Sequence, residues 1–183
     1  RKTGAIDGDL IILTRPLGSG VLFAGAMKGL TKGRWISTIL KKMTQPNANA
    51  SNIFSEYRAS SLTDITGFGL VGHISEMLLG SVQGATIFLE KIPIYDGAIP
   101  LTELGIESTL KPENIKINHE ASKDIKANAR YQLCFDPQTS GGLLATLNAS
   151  VAQKCLDKLH KSGYTDSTII GEISDVPGEL KIC

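Results

Sequence analysis

The sequence predicts an α/β (α+β) layered sandwich, a mixed sheet packed with helices, and three observations predict it. Short aliphatic runs of strand length alternate with segments whose apolar residues recur at helical spacing. No self-similarity recurs at a period of roughly 20 to 50 residues, which excludes a solenoid. The chain has 183 residues, 42% of them hydrophobic, the size of one ordinary globular domain that needs no disulfide or metal staple.

Each element follows from its own signal. Arg1 to Asp9 is polar, carries Gly4 and Gly8, and reads as a linker, whereas Leu10 to Leu13 is aliphatic throughout and reads as a buried strand. Turn chemistry from Thr14 to Gly20 leads into a helix over Val21 to Leu30, ending by Gly33. A second helix covers Trp35 to Met43, with Ile36, Ile39, Leu40 and Met43 on one stripe, and a shorter one follows from about Asn49 to Tyr57. Ser60 to Thr63 is a strand candidate. In the next helix Leu70, Val71, Ile74, Met77 and Leu78 fall within about 120° of one another, while Glu76 points away. Gly84 to Leu89 alternates as a strand, and Ile92 to Pro100 is a proline-containing connection. Thr102 to Arg130 is polar and weakly periodic, loop with some helix. Order returns at Tyr131 to Phe135, where Cys134 sits in an apolar strand. Leu143 to Leu147 is a strand, and Ser150 caps a helix bearing Val151, Cys155, Leu156 and Leu159 that stops at Gly163. Thr168 to Ile173 is the final strand.

Composition excludes several function classes. The 19 Lys and Arg against 18 Asp and Glu leave a net charge of +1, without the basic excess of a phosphate-backbone binder, and 5% aromatic content offers few stacking platforms. The chain is therefore expected to bind no nucleic acid. No apolar run approaches the ~18 residues of a membrane span, so no membrane association is expected. Cys134, Cys155 and Cys183 have no C-x-x-C spacing and form no disulfide framework, so the expected compartment is the reducing cytoplasm.

Three glycine-bearing turns, each read as following a strand, carry the chemical signal: Pro16 to Gly20, Asp64 to Gly69, and Asp136 to Gly142. Glycine lets backbone N–H groups approach a ligand closely. The strongest is Asp64-Ile65-Thr66-Gly67-Phe68-Gly69, because it feeds a helix whose first N–H groups lack internal partners and whose dipole favours anions. Asp64 there either caps the turn or holds a Mg²⁺ that bridges to phosphate oxygens. Gln138, Thr139 and Ser140 either contact a ligand or make a tight connection. His73 reads as a packed helix histidine rather than a catalytic base, and His119 and His160 sit in polar sequence without ligand spacing. There is no G-x-x-x-x-G-K-[ST] or G-x-G-x-x-G fingerprint and no G-x-S-x-G elbow. No cysteine lies beside a helix start with a basic neighbour, so no catalytic residue is assigned.

Taken together, the segments Gly8 to Leu22, Thr63 to Met77 and Leu133 to Leu144 resemble the selenide, water dikinase (selenophosphate synthetase) family in content, order and spacing. The resemblance spans nearly the whole chain and implies its carboxy-terminal half, a PurM-like domain similar to that of aminoimidazole ribonucleotide synthetase. It implies that residues 1–8 are a linker remnant from a missing amino-terminal ATP-binding domain that carries the reactive Cys or selenocysteine, with 9–183 as the domain itself. The implied full enzyme uses ATP, selenide and water to make selenophosphate, AMP and orthophosphate. It requires Mg²⁺, often K⁺, and forms a homodimer. By the same resemblance Asp64 is the aspartate this half gives to the Mg²⁺–phosphate cluster, and Thr66, Gly67 and Gly69 shape the nucleotide-binding loop. Such a half should fold but not turn over alone.

Two departures stand out. Arg15 stands where that family commonly has Lys, which places any direct phosphate role for it in question. Gly105 to Asn114 is only loosely similar. The rival readings are another ATP-dependent superfamily member, of thiamine-phosphate kinase or hydrogenase-maturation type, and a non-catalytic binding module. Gln138-Thr139-Ser140-Gly141-Gly142 argues against the first, and the intact turn at Asp64 against the second.

Overall fold

In a computed structural model, which describes residues 2–79 and 81–183, the chain builds one seven-stranded mixed sheet with helices on both faces. Arg1, at the head of the expected linker, lies outside the described residues. The elements are β1 (Asp9–Leu13), α1 (Ser19–Met27), α2 (Gly33–Met43), α3 (Ala48–Glu56), β2 (Ser61–Asp64), α4 (Gly69–Leu78), β3 (Gly84–Ile87), α5 (Ala98–Glu103), α6 (Lys111–Asn114), β4 (Glu120–Ala121), α7 (Lys123–Ala127), α8 (Ala129–Leu133), β5 (Leu143–Asn148), α9 (Ala149–Lys161), β6 (Thr168–Ser174) and β7 (Leu180–Ile182). Strand order is β2-β5-β1-β6-β3-β7-β4. β3 and β4 pair parallel to β7, and the other pairs are antiparallel.

Aliphatic β1 reads as continuous because both its faces are covered. Ile11 and Leu13 pack with the α4 stripe and Phe135, while Ile12 packs with Phe54 of α3 and Cys155 and Leu159 of α9. A third cluster, joining Val21, Leu22, Ile39 and Leu101, holds α1, α2 and α5 together. Burying each such aliphatic side chain contributes about 1.5–3 kcal/mol.

The antiparallel pairing of β5 with both β1 and β2 positions the site. Leu143 at the start of β5 pairs with Asp64 at the end of β2, and Leu144 pairs with Leu13 at the end of β1. All three glycine turns therefore emerge at one end of the sheet.

Several sequence expectations need correction. Tyr131 to Phe135 is no strand: residues 129–133 form α8, capped by the Asn128 side chain, which accepts the Arg130 N–H. The alternation of Tyr131, Leu133 and Phe135 imitated a strand. Tyr131 and Phe135 are also spaced i, i+4, one turn of helix apart, and their rings lie 5.0 Å apart, edge to face. The third glycine turn consequently precedes a strand instead of following one. Asn148, not Ser150, caps α9, accepting the Ser150 N–H. Leu40 belongs to the α2 stripe yet is half exposed. β3 ends at Ile87, and a single 3₁₀ turn follows at Leu89–Lys91. α5 begins inside the expected Ile92 to Pro100 connection, and β4 and β7, of two and three residues, escaped a pattern search that needs longer runs. His119 lies in an aromatic cluster, its Nε2 at 2.6 Å from the Tyr131 hydroxyl.

Candidate functional site

The Asp136 to Gly142 segment wires the three turns together. Gln138, almost fully buried, donates its backbone N–H to the Thr66 carbonyl at 2.9 Å. Its side-chain Oε1 accepts the Gly18 and Ser19 N–H groups and the Ser19 hydroxyl at 3.1–3.2 Å, and its Nε2 donates to the Asp136 carbonyl at 2.7 Å. Ile65 N–H closes the same junction on the Gly142 carbonyl. Both glycines are obligatory for contact reasons: a Cβ on Gly141 would strike the Ile65 carbonyl, and one on Gly142 would strike the Arg15 backbone and side chain.

The first turn leads into α1, and its N–H groups are already engaged. Gly18 and Ser19 donate to Gln138, and Val21 donates to the Asp136 carboxylate at 3.2 Å. Asp136 is buried, and desolvation lifts its pKa to about 6 against the pull of the Val21 and Gly20 N–H groups, the Gln138 amide and Lys111. This helix start is thus filled from within. Arg15 is likewise committed: its buried guanidinium donates to the Ser140 and Gly141 carbonyls, the Gln45 carbonyl at 2.8 Å and Asn47 Oδ1. It clamps backbone, which accounts for an arginine fork in place of a lysine point charge.

The second turn differs. Asp64 ends edge strand β2 with an exposed side chain. It does not cap α4: the cap position is Phe68, without a side-chain cap bond, and the Asp64 carboxylate accepts no hydrogen bond among the described residues. Thr66 is exposed, its N–H donating to His73 Nε2 at 2.9 Å and its carbonyl accepting from Gly69 and Gln138. The N–H groups of Gly67 and Phe68 find no acceptor among the described residues. Gly69 has φ +69°, and a Cβ there would come within 3.0 Å of the Cys134–Phe135 backbone, so its role is to let α4 pack closely. A Cβ on Gly67 would meet only Leu110 Cδ1, at 3.9 Å, an ordinary van der Waals contact.

Beside Gly67 runs a cleft of about 490 Å³, also walled by Gly20, Ala24, Thr109, Gln138 and Thr139. A hollow of about 330 Å³ between β4 and β7 lies at the opposite edge of the sheet, away from the turns. Asp64, Thr66 and Gly67 thus meet at one end of the sheet with Gln138. Sequence reasoning missed Asn114, whose Nδ2 donates to the Gly67 carbonyl at 2.8 Å and the Phe135 carbonyl at 3.0 Å. It lay in the aperiodic stretch, where no pattern could single it out. Among the described residues no group of three or more His, Cys, Asp or Glu is placed to share an ion, so Asp64 fits a divalent ion only as one ligand among several. The buried thiols are inert: burial pushes Cys134 up to about 12 and Cys155 up to about 11.

Residues 7–182 match the family model described as AIR synthase related protein, C-terminal domain. The chain belongs to that family. Selenide, water dikinase of Clostridium botulinum (strain Alaska E43 / Type E3) is 38% identical over 181 residues, covering 95% of the chain and 51% of the relative. The protein of the same name from Clostridioides difficile (strain 630) is 32% identical over 174 residues, covering 92% and 49%. The chain spans about half the length of the curated relatives it matches. Among solved structures, the HypE–HypF complex superposes with a TM-score of 0.69 at 18% identity, over 99% of this chain and 52% of the other. Thiamine-monophosphate kinase from Stenotrophomonas maltophilia K279a gives 0.64 at 18%, over 99% and 52%. At such identity these two establish that the AIR synthase related fold is shared, and nothing finer. Among the described residues no helix is long and apolar enough to cross a membrane.

Proposed function

We propose that this chain is the carboxy-terminal half of a selenophosphate synthetase and helps to close its ATP- and Mg²⁺-binding site. The observation that carries the reading is the second turn: an exposed, unengaged carboxylate at Asp64 beside two N–H groups, at Gly67 and Phe68, that lack acceptors among the described residues. Free N–H groups at a helix start attract phosphate oxygens. A bare carboxylate beside polyphosphate would be repelled unless a cation lay between them. Mg²⁺, once bound, supplies charge neutralisation for the transferring phosphoryl group.

On this reading Asp64 contributes one oxygen ligand, and the remaining ligands come from an amino-terminal domain, as relatives of twice this length suggest. Thr66 and Gly67 form the lip that meets the phosphates, Gly69 seats the helix behind them, and Gln138 keeps the lip in register with the rest of the sheet end. The whole protein converts ATP, selenide and water to selenophosphate, AMP and orthophosphate in the cytoplasm, as a homodimer, with K⁺ as a further ion. This half alone folds but does not turn over. The sequence relatives favour selenide over the substrates of the structural neighbours, since the former match at 32–38% and the latter at 18%.

The test is product analysis by phosphorus NMR with the full-length protein, ATP and selenide. Selenophosphate with AMP and orphan orthophosphate in equal amounts is expected. ADP as the nucleotide product, or no dependence on selenide, would sink the reading.

A further inference from the structure

We propose that His73 is a positioning residue for the Asp64–Gly69 turn, holding the Thr66 amide from inside α4 so that the next two N–H groups stay available to a ligand. The proposal rests on the phosphate-binding reading of that turn and names the side chain that keeps it in shape.

His73 is 4% exposed and sits on the second turn of α4. Its Nε2 accepts the Thr66 N–H at 2.9 Å and lies 3.2 Å from the Thr66 hydroxyl. A backbone amide only donates, so Nε2 is the unprotonated nitrogen and Nδ1 carries the hydrogen. Nδ1 faces the Glu76 carboxylate at 2.9 Å, close enough to favour that tautomer although not aligned for a hydrogen bond. Glu76 in turn pairs with Lys2 at 2.8 Å. The chain of contacts therefore runs from the polar segment before β1, through Glu76 and His73, to the turn that bears Asp64.

The Thr66 peptide is pinned on both sides. Its carbonyl is held by Gly69 and Gln138 backbone N–H groups, and its N–H by His73 alone among side chains. Thr66 lies two residues before the cap residue Phe68, and a helix cap serves only the N–H groups of the first helical turn, so the imidazole satisfies a donor that no cap of α4 reaches. The Phe68 ring lies 5.7 Å from the imidazole, tilted by 55°, and walls the same corner. A packed histidine is thereby also the bracket of the site, acting through Thr66 and touching no reactant.

The experiment uses the full-length protein with His73→Leu, which removes the acceptor, and His73→Gln, whose side-chain oxygen reaches the Nε2 position. Amide hydrogen exchange at Thr66 and the half-saturating Mg²⁺ concentration are both read. His73→Leu is expected to lose Thr66 protection and raise the Mg²⁺ requirement about tenfold with the KM for selenide unchanged, and His73→Gln to recover both to within about threefold. A folded His73→Leu with both readouts unchanged overturns the proposal, as does a Gln variant no better than Leu. Should the Leu variant fail to fold, ring ¹⁵N shifts of the unmodified protein decide: a protonated Nε2 contradicts the proposal, and a bare Nε2 with protonated Nδ1 supports it. If Asp64→Asn leaves Mg²⁺ dependence intact, the phosphate reading falls on its own, while Thr66 exchange still reports whether His73 holds the turn.

Discussion

Two helix starts at the same end of this sheet look alike in sequence and behave oppositely in structure. α1 and α4 each follow a strand and a glycine turn, and each offers the unpaired N–H groups that bind anions. At α1 those groups are consumed by Gln138 Oε1 and the Asp136 carboxylate. At α4 Gly69 and Val71 donate to the Thr66 and Cys134 carbonyls, but the N–H groups of Gly67 and Phe68, just before the first helical residue, stay free among the described residues beside exposed Asp64. A glycine turn before a helix is thus a capacity for binding, and whether buried side chains from elsewhere already fill it decides its use.

Substitutions can break this contrast. The largest effect is expected at the open turn: Asp64→Asn in the full-length protein should lower turnover at least about 100-fold and leave the thermal midpoint unchanged, because the carboxylate holds nothing in the fold. Steady-state kinetics beside thermal melts would check both halves. At the filled turn the order reverses. Gln138→Ala removes the acceptor for three donors of the α1 start and should cost about 3 kcal/mol of stability in urea unfolding.

Asp136 sharpens the same point through pH. Its pKa rises from 3.8 to about 6 on folding, so the folded chain retains a proton that the unfolded chain has released. Its contribution is fully present below pH 3.8 and is lost as pH rises through about 6, amounting to roughly 3 kcal/mol. Asp136→Asn should flatten that part of the stability profile, measured by denaturant midpoints between those two pH values. The smallest effect compares two glycines. Gly18, at φ +109° with the Ala98 Cβ only 2.5 Å from where its own would stand, should lose about 2 kcal/mol as Ala, whereas Gly67→Ala, meeting only Leu110 Cδ1 at 3.9 Å, should stay within about 0.5 kcal/mol. Equal losses would erase the distinction between the turns.

Much of this was legible beforehand. The α4 stripe of Leu70, Val71, Ile74, Met77 and Leu78 is buried as the helical period requires, β1 and β5 are mostly aliphatic, and β6 carries Ile169, Ile170 and Ile173 among polar residues. Asp64 and its glycines were likewise visible, because turn residues sit together in sequence. The bracing was not. Gln138 reaches Gly18 across 120 positions and Asn114 reaches Gly67 across 47, and no local pattern encodes such pairings. α8 was misread because a short apolar stretch satisfies either period until its cap and its neighbours are known.

The account turns on whether Asp64 couples the nucleotide to a divalent cation. Isothermal titration of a non-hydrolysable ATP analogue into the full-length protein, with and without Mg²⁺, measures that coupling directly. Mg²⁺ should tighten binding to the unmodified protein, and that gain should shrink at least about tenfold in Asp64→Asn. An equal gain in both proteins would contradict the account.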